Sequence, residues 1–143
     1  MSNVSDLKMQ IKVLFSDVES KVTDAPGLYE IYTNSGVALK VGISSNLRKR
    51  LIQHSESKQH YLFCPSGDWS APKNVTSKRS ILAKHLYFLS AHGYDLKLES
   101  ERRRFLKEEC YILLRPTKTQ AEARELEKCR NQQTNSGSSA RLW

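Results

Sequence analysis

The chain is poor in cysteine: Cys64, Cys110 and Cys129 are the three in 143 residues. An odd number with no Cys-x-x-Cys pair excludes a disulfide framework and a thiolate zinc site, leaving reduced, mostly core-filling thiols. Long hydrophobic runs are also missing. The longest, Cys110 to Leu114, is five residues, where a membrane-crossing helix needs about 18 or more. The N-terminus, Met-Ser-Asn-Val-Ser-Asp-Leu-Lys, has an early acid and lacks the basic start, apolar stretch and small-residue cleavage site of an export signal. The expectation is an intracellular, cytoplasmic protein. Acids are the minority charge, 15 against 23 Lys and Arg, for a net charge of +8. This excess suggests a polyanionic partner, nucleic acid ahead of a membrane surface.

What is present suits one soluble globular domain: 38 % of residues are hydrophobic and 27 % charged, spread along the chain without internal repeats. Val4, Leu7, Ile11, Leu14, Phe15 and Val18 recur at helical spacing, which predicts an N-terminal helix over 4–20. Gly-Leu-Tyr-Glu-Ile-Tyr and Val-Ala-Leu-Lys-Val-Gly-Ile, separated by Thr33-Asn34-Ser35-Gly36, predict a β-hairpin over 27–43. Ser44-Ser45-Asn46 offers N-caps for a helix over 47–54. Further helices are predicted over 77–90 and 100–107, and a buried central strand over 110–114. Thr119-Gln-Ala-Glu122 is a capping-box pattern opening a helix to about 130, and the polar residues 131–143 read as a flexible tail. The charge is uneven: residues 1–26 carry −1, 27–98 carry +6 and 99–143 carry +3.

The hairpin register links two chemically useful residues. With a two- or four-residue loop, paired positions sum to 69 and Tyr29 lies opposite Lys40; a three-residue loop would break this. An ammonium beside a phenol lowers the phenol's pKa and makes it a candidate general base. Arg50 and His54, at i and i+4, share a helix face, where a guanidinium can bind phosphate and an imidazole can donate to it or carry a proton.

Gly27-Leu28-Tyr29, then Lys40-Val41-Gly42, then Asn46-Leu47-Arg48-Lys49-Arg50-Leu51 ending at His54 resembles the core of the GIY-YIG nuclease family. The resemblance covers roughly residues 26–55 and 110–130. It implies an α+β fold with a small three-stranded antiparallel sheet flanked by helices. It also implies a catalytic domain over 1–130, with an insertion at about 55–108. By the same resemblance Tyr29, Lys40, Arg50 and His54 are catalytic. Glu127, in Ala123-Arg124-Glu125-Leu126-Glu127, would hold one Mg²⁺ or Mn²⁺ ion. The implied activity is hydrolysis of nucleic-acid phosphodiesters, DNA foremost, by activated water. Two features depart from the family pattern: Lys40 stands where most members have tyrosine, and the Pro-x-Tyr-Asn asparagine after the glutamate is missing. The alternative is a catalytically inactive module of the same fold that binds nucleic acid or a protein.

Other cations suit a phosphate backbone: Arg48, Lys49, Lys73, Lys78, Arg79 and the triplet Arg102-Arg103-Arg104, although Glu99, Glu101 and Glu108 can neutralise the triplet locally. Trp69 is a candidate for stacking on a base or for a satellite core. Cutting both strands with one such site would require a dimer or two encounters.

Overall fold

The computed structural model describes residues 10–135. It is α+β, built on a four-stranded antiparallel sheet of order β1-β6-β2-β3. The strands are β1 (Ile11–Val13), β2 (Gly27–Thr33), β3 (Ala38–Ser44) and β6 (Cys110–Pro116). The helices are α1 (Val18–Lys21), α2 (Leu47–Glu56), α3 (Ile81–Tyr87), α4 (Glu99–Glu109) and α5 (Gln120–Asn135). A two-stranded sheet, β4 (Leu62–Phe63) with β5 (Thr76–Ser77), lies within the 55–108 stretch. No described helix is long and apolar enough to cross a membrane.

The three expected strands gain a fourth, and the expected N-terminal helix is corrected. Residues 11–13 form β1, paired with β6 so that Val13 opposes Ile112. Only Val18–Lys21 is α-helical, after a 3₁₀ turn at Phe15–Asp17. Edge pairing with a central apolar strand outweighs a helical pattern that would place Ile11 and Leu14 on the buried face; both are exposed here. The part of that prediction covering residues 4–9 lies outside the described residues. At the other end, α5 runs to Asn135, so the predicted tail begins too early, and 136–143 lie outside the described residues.

The hairpin loop is the three-residue kind. Thr33 N–H donates to the Val37 carbonyl, Gly36 takes φ +98°, and the register shifts between Ile31 and Tyr32. A three-residue loop closed by a left-handed glycine, followed by a bulge, is a standard solution. Positions beyond the bulge therefore sum to 71. Tyr29 pairs with Gly42, and Lys40 pairs with Ile31. Lys40 is thus a diagonal neighbour of Tyr29 and not its direct partner.

Tyr29 and Ile31 oppose Leu114 and Ile112 of β6, and these four pack with Leu47 and Leu51 of α2, Leu82 and Leu86 of α3, and Phe105 and Leu106 of α4. A second cluster, Leu62, Val75, Ala83 and Tyr87, forms inside the 55–108 stretch, with Trp69 tilted against Tyr87 at 5.4 Å between ring centroids. Trp69 serves this satellite core.

Arg102 ties the start of that stretch to its end. Although it begins the basic triplet, it is 0 % exposed. Its guanidinium donates to the Ser57 carbonyl at 2.9 Å, Ser57 Oγ at 3.0 Å, the Leu96 and Lys97 carbonyls at 3.1 Å each and Gln59 Oε1 at 2.9 Å. Ser57 ends α2 in the left-handed region at φ 42°, a conformation that needs outside support in a non-glycine residue. Burial takes Arg102 out of any phosphate track, and Arg103 and Arg104 bond Glu99, Glu101 and Glu108, the local neutralisation the sequence offered. Arg102→Met is expected to leave buried carbonyls unpaired and to cost about 3 kcal/mol or more in urea unfolding. Arg102→Lys, with no planar fork, should restore little of it.

Candidate active site

Tyr29 stands in the middle of β2 with its side chain crossing onto β3, where Gly42 is its pair. A Cβ at Gly42 would lie 2.6 Å from the Tyr29 oxygen, so only glycine leaves room for the phenol. Gly27 has a comparable role at the start of β2: a Cβ there would meet the Arg115 carbonyl and Leu47, both at 2.6 Å. The two glycines let the hairpin approach α2 and β6 closely.

The cap predicted for α2 is present: Asn46 Oδ1 accepts from Lys49 N–H at 2.9 Å. The helix carries Leu47, Leu51 and His54 on its buried face. Tyr29 and His54, 1 % and 0 % exposed, meet there, with the phenol oxygen 2.8 Å from Nε2. The other ring nitrogen, Nδ1, is 2.7 Å from Ser80 Oγ. Ser80 is the N-cap of α3 and also accepts from Ala83 N–H. A Tyr29–His54–Ser80 chain therefore links the sheet, α2 and α3. Ser80 was not among the candidates read from the sequence; its signal, a serine just before an apolar helical pattern, was hidden because the helix was expected to start at 77.

Arg50 lies on the same helix, half-buried. Its guanidinium donates to Gln53 Oε1 at 2.6 Å and to the Arg79 carbonyl at 2.7 Å, and its positive charge acts on the Tyr29 phenol. Lys40 and Glu127, both half-buried, complete the group: the charge of Glu127 acts on both Tyr29 and Lys40, and those of Arg50 and Lys40 act on His54. The five residues expected to act together thus influence one another electrostatically.

The tuning differs from the expected one. Burial pushes the Tyr29 phenol above its ordinary value, Arg50 draws it down, and Glu127 pushes it up. Lys40 is not among the groups that shift it, as its pairing with Ile31 explains. Burial, then the charge of Arg50, lowers the Lys40 ammonium. His54 is held well below 6.5, first by burial and then by Arg50 and Lys40, so it is a neutral imidazole at pH 7.

The helix that carries Glu127, α5, is anchored on the face of the sheet opposite Tyr29. Arg130, one turn further along α5, forms a buried ion pair with Glu30 at 3.2 Å and bonds the Tyr32 hydroxyl, while Tyr32 stacks on Tyr111. This anchor ties α5 to β2. The Thr119 cap is present too, with Oγ1 accepting from Glu122 N–H. Among the described residues no group of three or more His, Cys, Asp or Glu could hold a metal ion. Of the remaining cations, Arg48 is half-buried, and Lys49, Lys78 and Arg79 are exposed. Lys78 lies over the Phe63 ring at 5.2 Å.

No family model, no curated protein and no solved structure matches the chain.

The depressed His54 imidazole makes stability depend on pH. Above about 6.5 the group is neutral in both folded and unfolded chains, and its contribution is complete. Below that, the unfolded chain binds a proton that the folded chain refuses, so stability falls by up to about 1.4 kcal/mol per pH unit until the folded-state value is reached. Half-buried His85, also depressed, acts in the same direction. Urea midpoints should fall from pH 7 to pH 5, and His54→Gln should flatten most of that slope; an unchanged slope would remove His54 as its source.

Proposed function

We propose that the chain is a metal-dependent endonuclease of the GIY-YIG type, hydrolysing phosphodiester bonds of nucleic acid, DNA foremost, by direct attack of an activated water. The observation that carries this reading is the buried Tyr29–His54–Ser80 chain bordered by the charges of Arg50, Lys40 and Glu127. Proton relay, phosphate clamp and lone carboxylate are the parts such a hydrolysis requires. The motif order Gly27-Leu28-Tyr29, Lys40-Val41-Gly42, Arg50, His54 and Glu127 supports it independently.

In this mechanism Arg50 exchanges Gln53 and the Arg79 carbonyl for two oxygens of the scissile phosphate, and its departure opens the phenol to water. The Tyr29 oxygen takes a proton from the attacking water as its own proton passes to His54 Nε2. Ser80 Oγ accepts from Nδ1–H and holds the ring in the tautomer whose Nε2 is free to receive. The negative phosphate offsets the two cations that otherwise disfavour an imidazolium. Lys40 adds positive charge beside the reacting group. The half-buried Glu127 carboxylate suits a single Mg²⁺ or Mn²⁺ ion, hard cations that bind through few protein oxygens and fill their shells with water and phosphate. Bound there, such an ion supplies Lewis-acid stabilisation of the leaving oxygen.

One observation favours a second reading. Tyr29 is 1 % exposed and its phenol is pushed upward, as in a structural lock within a module that binds nucleic acid or a protein without cutting. Plasmid and single-stranded DNA incubated with Mn²⁺ or Mg²⁺ separate the two. The nuclease reading expects cleavage that Tyr29→Phe, Arg50→Ala and Glu127→Ala each reduce by about 100-fold or more. Salt-sensitive binding without cleavage would support the module, and undiminished cleavage by Glu127→Ala would overturn the metal assignment.

A further inference from the structure

The backbone that closes the proposed active site runs straight onto a second surface. The Arg79 carbonyl accepts from Arg50, and the Ser80 hydroxyl meets His54. Lys78 precedes them directly, and two residues of chain span at most about 7 Å. Lys78 N–H donates to the Tyr61 carbonyl at 2.9 Å, continuing the ladder of β4 with β5. On that ladder Phe63 lies opposite Thr76. Strand alternation turns Leu62 inward and Phe63 outward, 5 % and 52 % exposed. The satellite core takes Leu62, Val75 and Tyr87 and leaves the Phe63 ring out.

This surface is also short of acids. Between 57 and 80 the cations are Lys58, Lys73, Lys78 and Arg79, and the one acid is Asp68. Its carboxylate is engaged in its own turn, accepting from the Ser70 N–H and hydroxyl. Among the described residues none of these four cations forms an ion pair. Lys78 and Arg79 are exposed, and the Lys78 ammonium lies over the Phe63 ring at 5.2 Å. A lone exposed apolar residue calls for no explanation. Here an open aromatic ring, unpaired cations beside it and a two-residue connection to the proposed phosphate site coincide.

We propose that the outer face of β4 and β5 carries a single strand leading away from the scissile phosphate, with Arg79 and Lys78 on its phosphates and Phe63 stacked on an unpaired base. The position of the scissile phosphate rests on the nuclease reading, which the proposal deepens by naming the substrate class: single-stranded or locally unpaired nucleic acid. Stacking needs no hydrogen-bond readout, since every base has a π-face. Bases within a duplex stack on one another and leave an outward ring only sugar and phosphate. A strand phosphate draws the Lys78 ammonium off the ring, and an exposed cation–π contact is worth less than the base–aromatic stack that replaces it. An acidic peptide would take the cations and leave the ring unused. Trp69 is engaged with Tyr87, so Phe63 is the aromatic of this stretch that is open to a base.

Fluorescence anisotropy of the full chain tests this with a chelator present, so that nothing is cut. The probes are a labelled short oligothymidylate, an abasic strand of the same length and a duplex. The oligothymidylate should bind more tightly than the abasic strand. Phe63→Ala should weaken it about fivefold or more, leaving the abasic strand and the duplex unchanged, and Phe63→Trp should keep the wild-type affinity. Lys78→Ala and Arg79→Ala should each reduce the slope of log affinity against log salt by about 0.7. Equal binding of the abasic strand, no effect of Phe63→Ala, or slopes untouched by both cation variants would overturn the proposal. Displacement by polyglutamate as readily as by unlabelled oligothymidylate would overturn it in favour of an acidic protein partner. With Mg²⁺ or Mn²⁺ restored, cleavage by a chain whose binding ignores Phe63 overturns the proposal and leaves the nuclease reading standing. Phe63-dependent strand binding by a chain that cuts nothing supports the strand surface and overturns the nuclease reading.

Discussion

A fully buried imidazole has to find both of its hydrogen-bond partners inside the protein, and His54 finds them on two different parts of the chain. Nε2 meets Tyr29 from the sheet, and Nδ1 meets Ser80 from the first turn of α3. An unpaired buried polar atom costs about 1–3 kcal/mol, so neither contact can be lost cheaply. The pair of bonds fixes where α3, within the 55–108 stretch, begins relative to the hairpin. It also carries the Arg79 carbonyl to the Arg50 guanidinium. Much of the site's geometry follows from satisfying one ring.

Two backbone features make that arrangement possible. Gly42 leaves space for the phenol to lie across β3, and the three-residue loop and its bulge together move Lys40 out of the position opposite Tyr29. The three-residue loop alone would set Tyr29 opposite Val41, and the bulge carries the pairing one residue further, to Gly42. The cation that draws the Tyr29 phenol down is Arg50, a group that also suits bidentate phosphate binding. On the opposite face of the sheet the Glu30–Arg130 pair, with the Tyr32 hydroxyl, ties α5 to β2.

The sequence made some of this readable and hid the rest for identifiable reasons. Local signals worked where local physics decides: the turn residues of the hairpin, the Asn46 and Thr119 caps, and the apolar run of β6 all form the elements they indicate. The register failed because it depended on one glycine at φ +98° choosing a three-residue loop. Residues 11–13 were misread because their partner, β6, is about a hundred positions away, and only that pairing outweighs a helical spacing. Arg102 looked like one of three equivalent surface charges, yet its neighbours take carboxylates while it takes carbonyls in the interior. Ser80, Glu30 and Arg130 carried no chemical signature, because their roles come from what they hold in place.

The central claim is that Tyr29, Lys40, Arg50, His54 and Glu127 surround one phosphate-and-cation site. Paramagnetic broadening by Mn²⁺ tests it without relying on turnover. In the full chain, with a short phosphorothioate oligonucleotide present, Mn²⁺ should broaden the NMR signals of Glu127, Tyr29 and Gly42 first, and Glu127→Gln should abolish the effect. Broadening centred elsewhere, such as on the acidic residues of α4, or broadening indifferent to Glu127→Gln, would contradict the account.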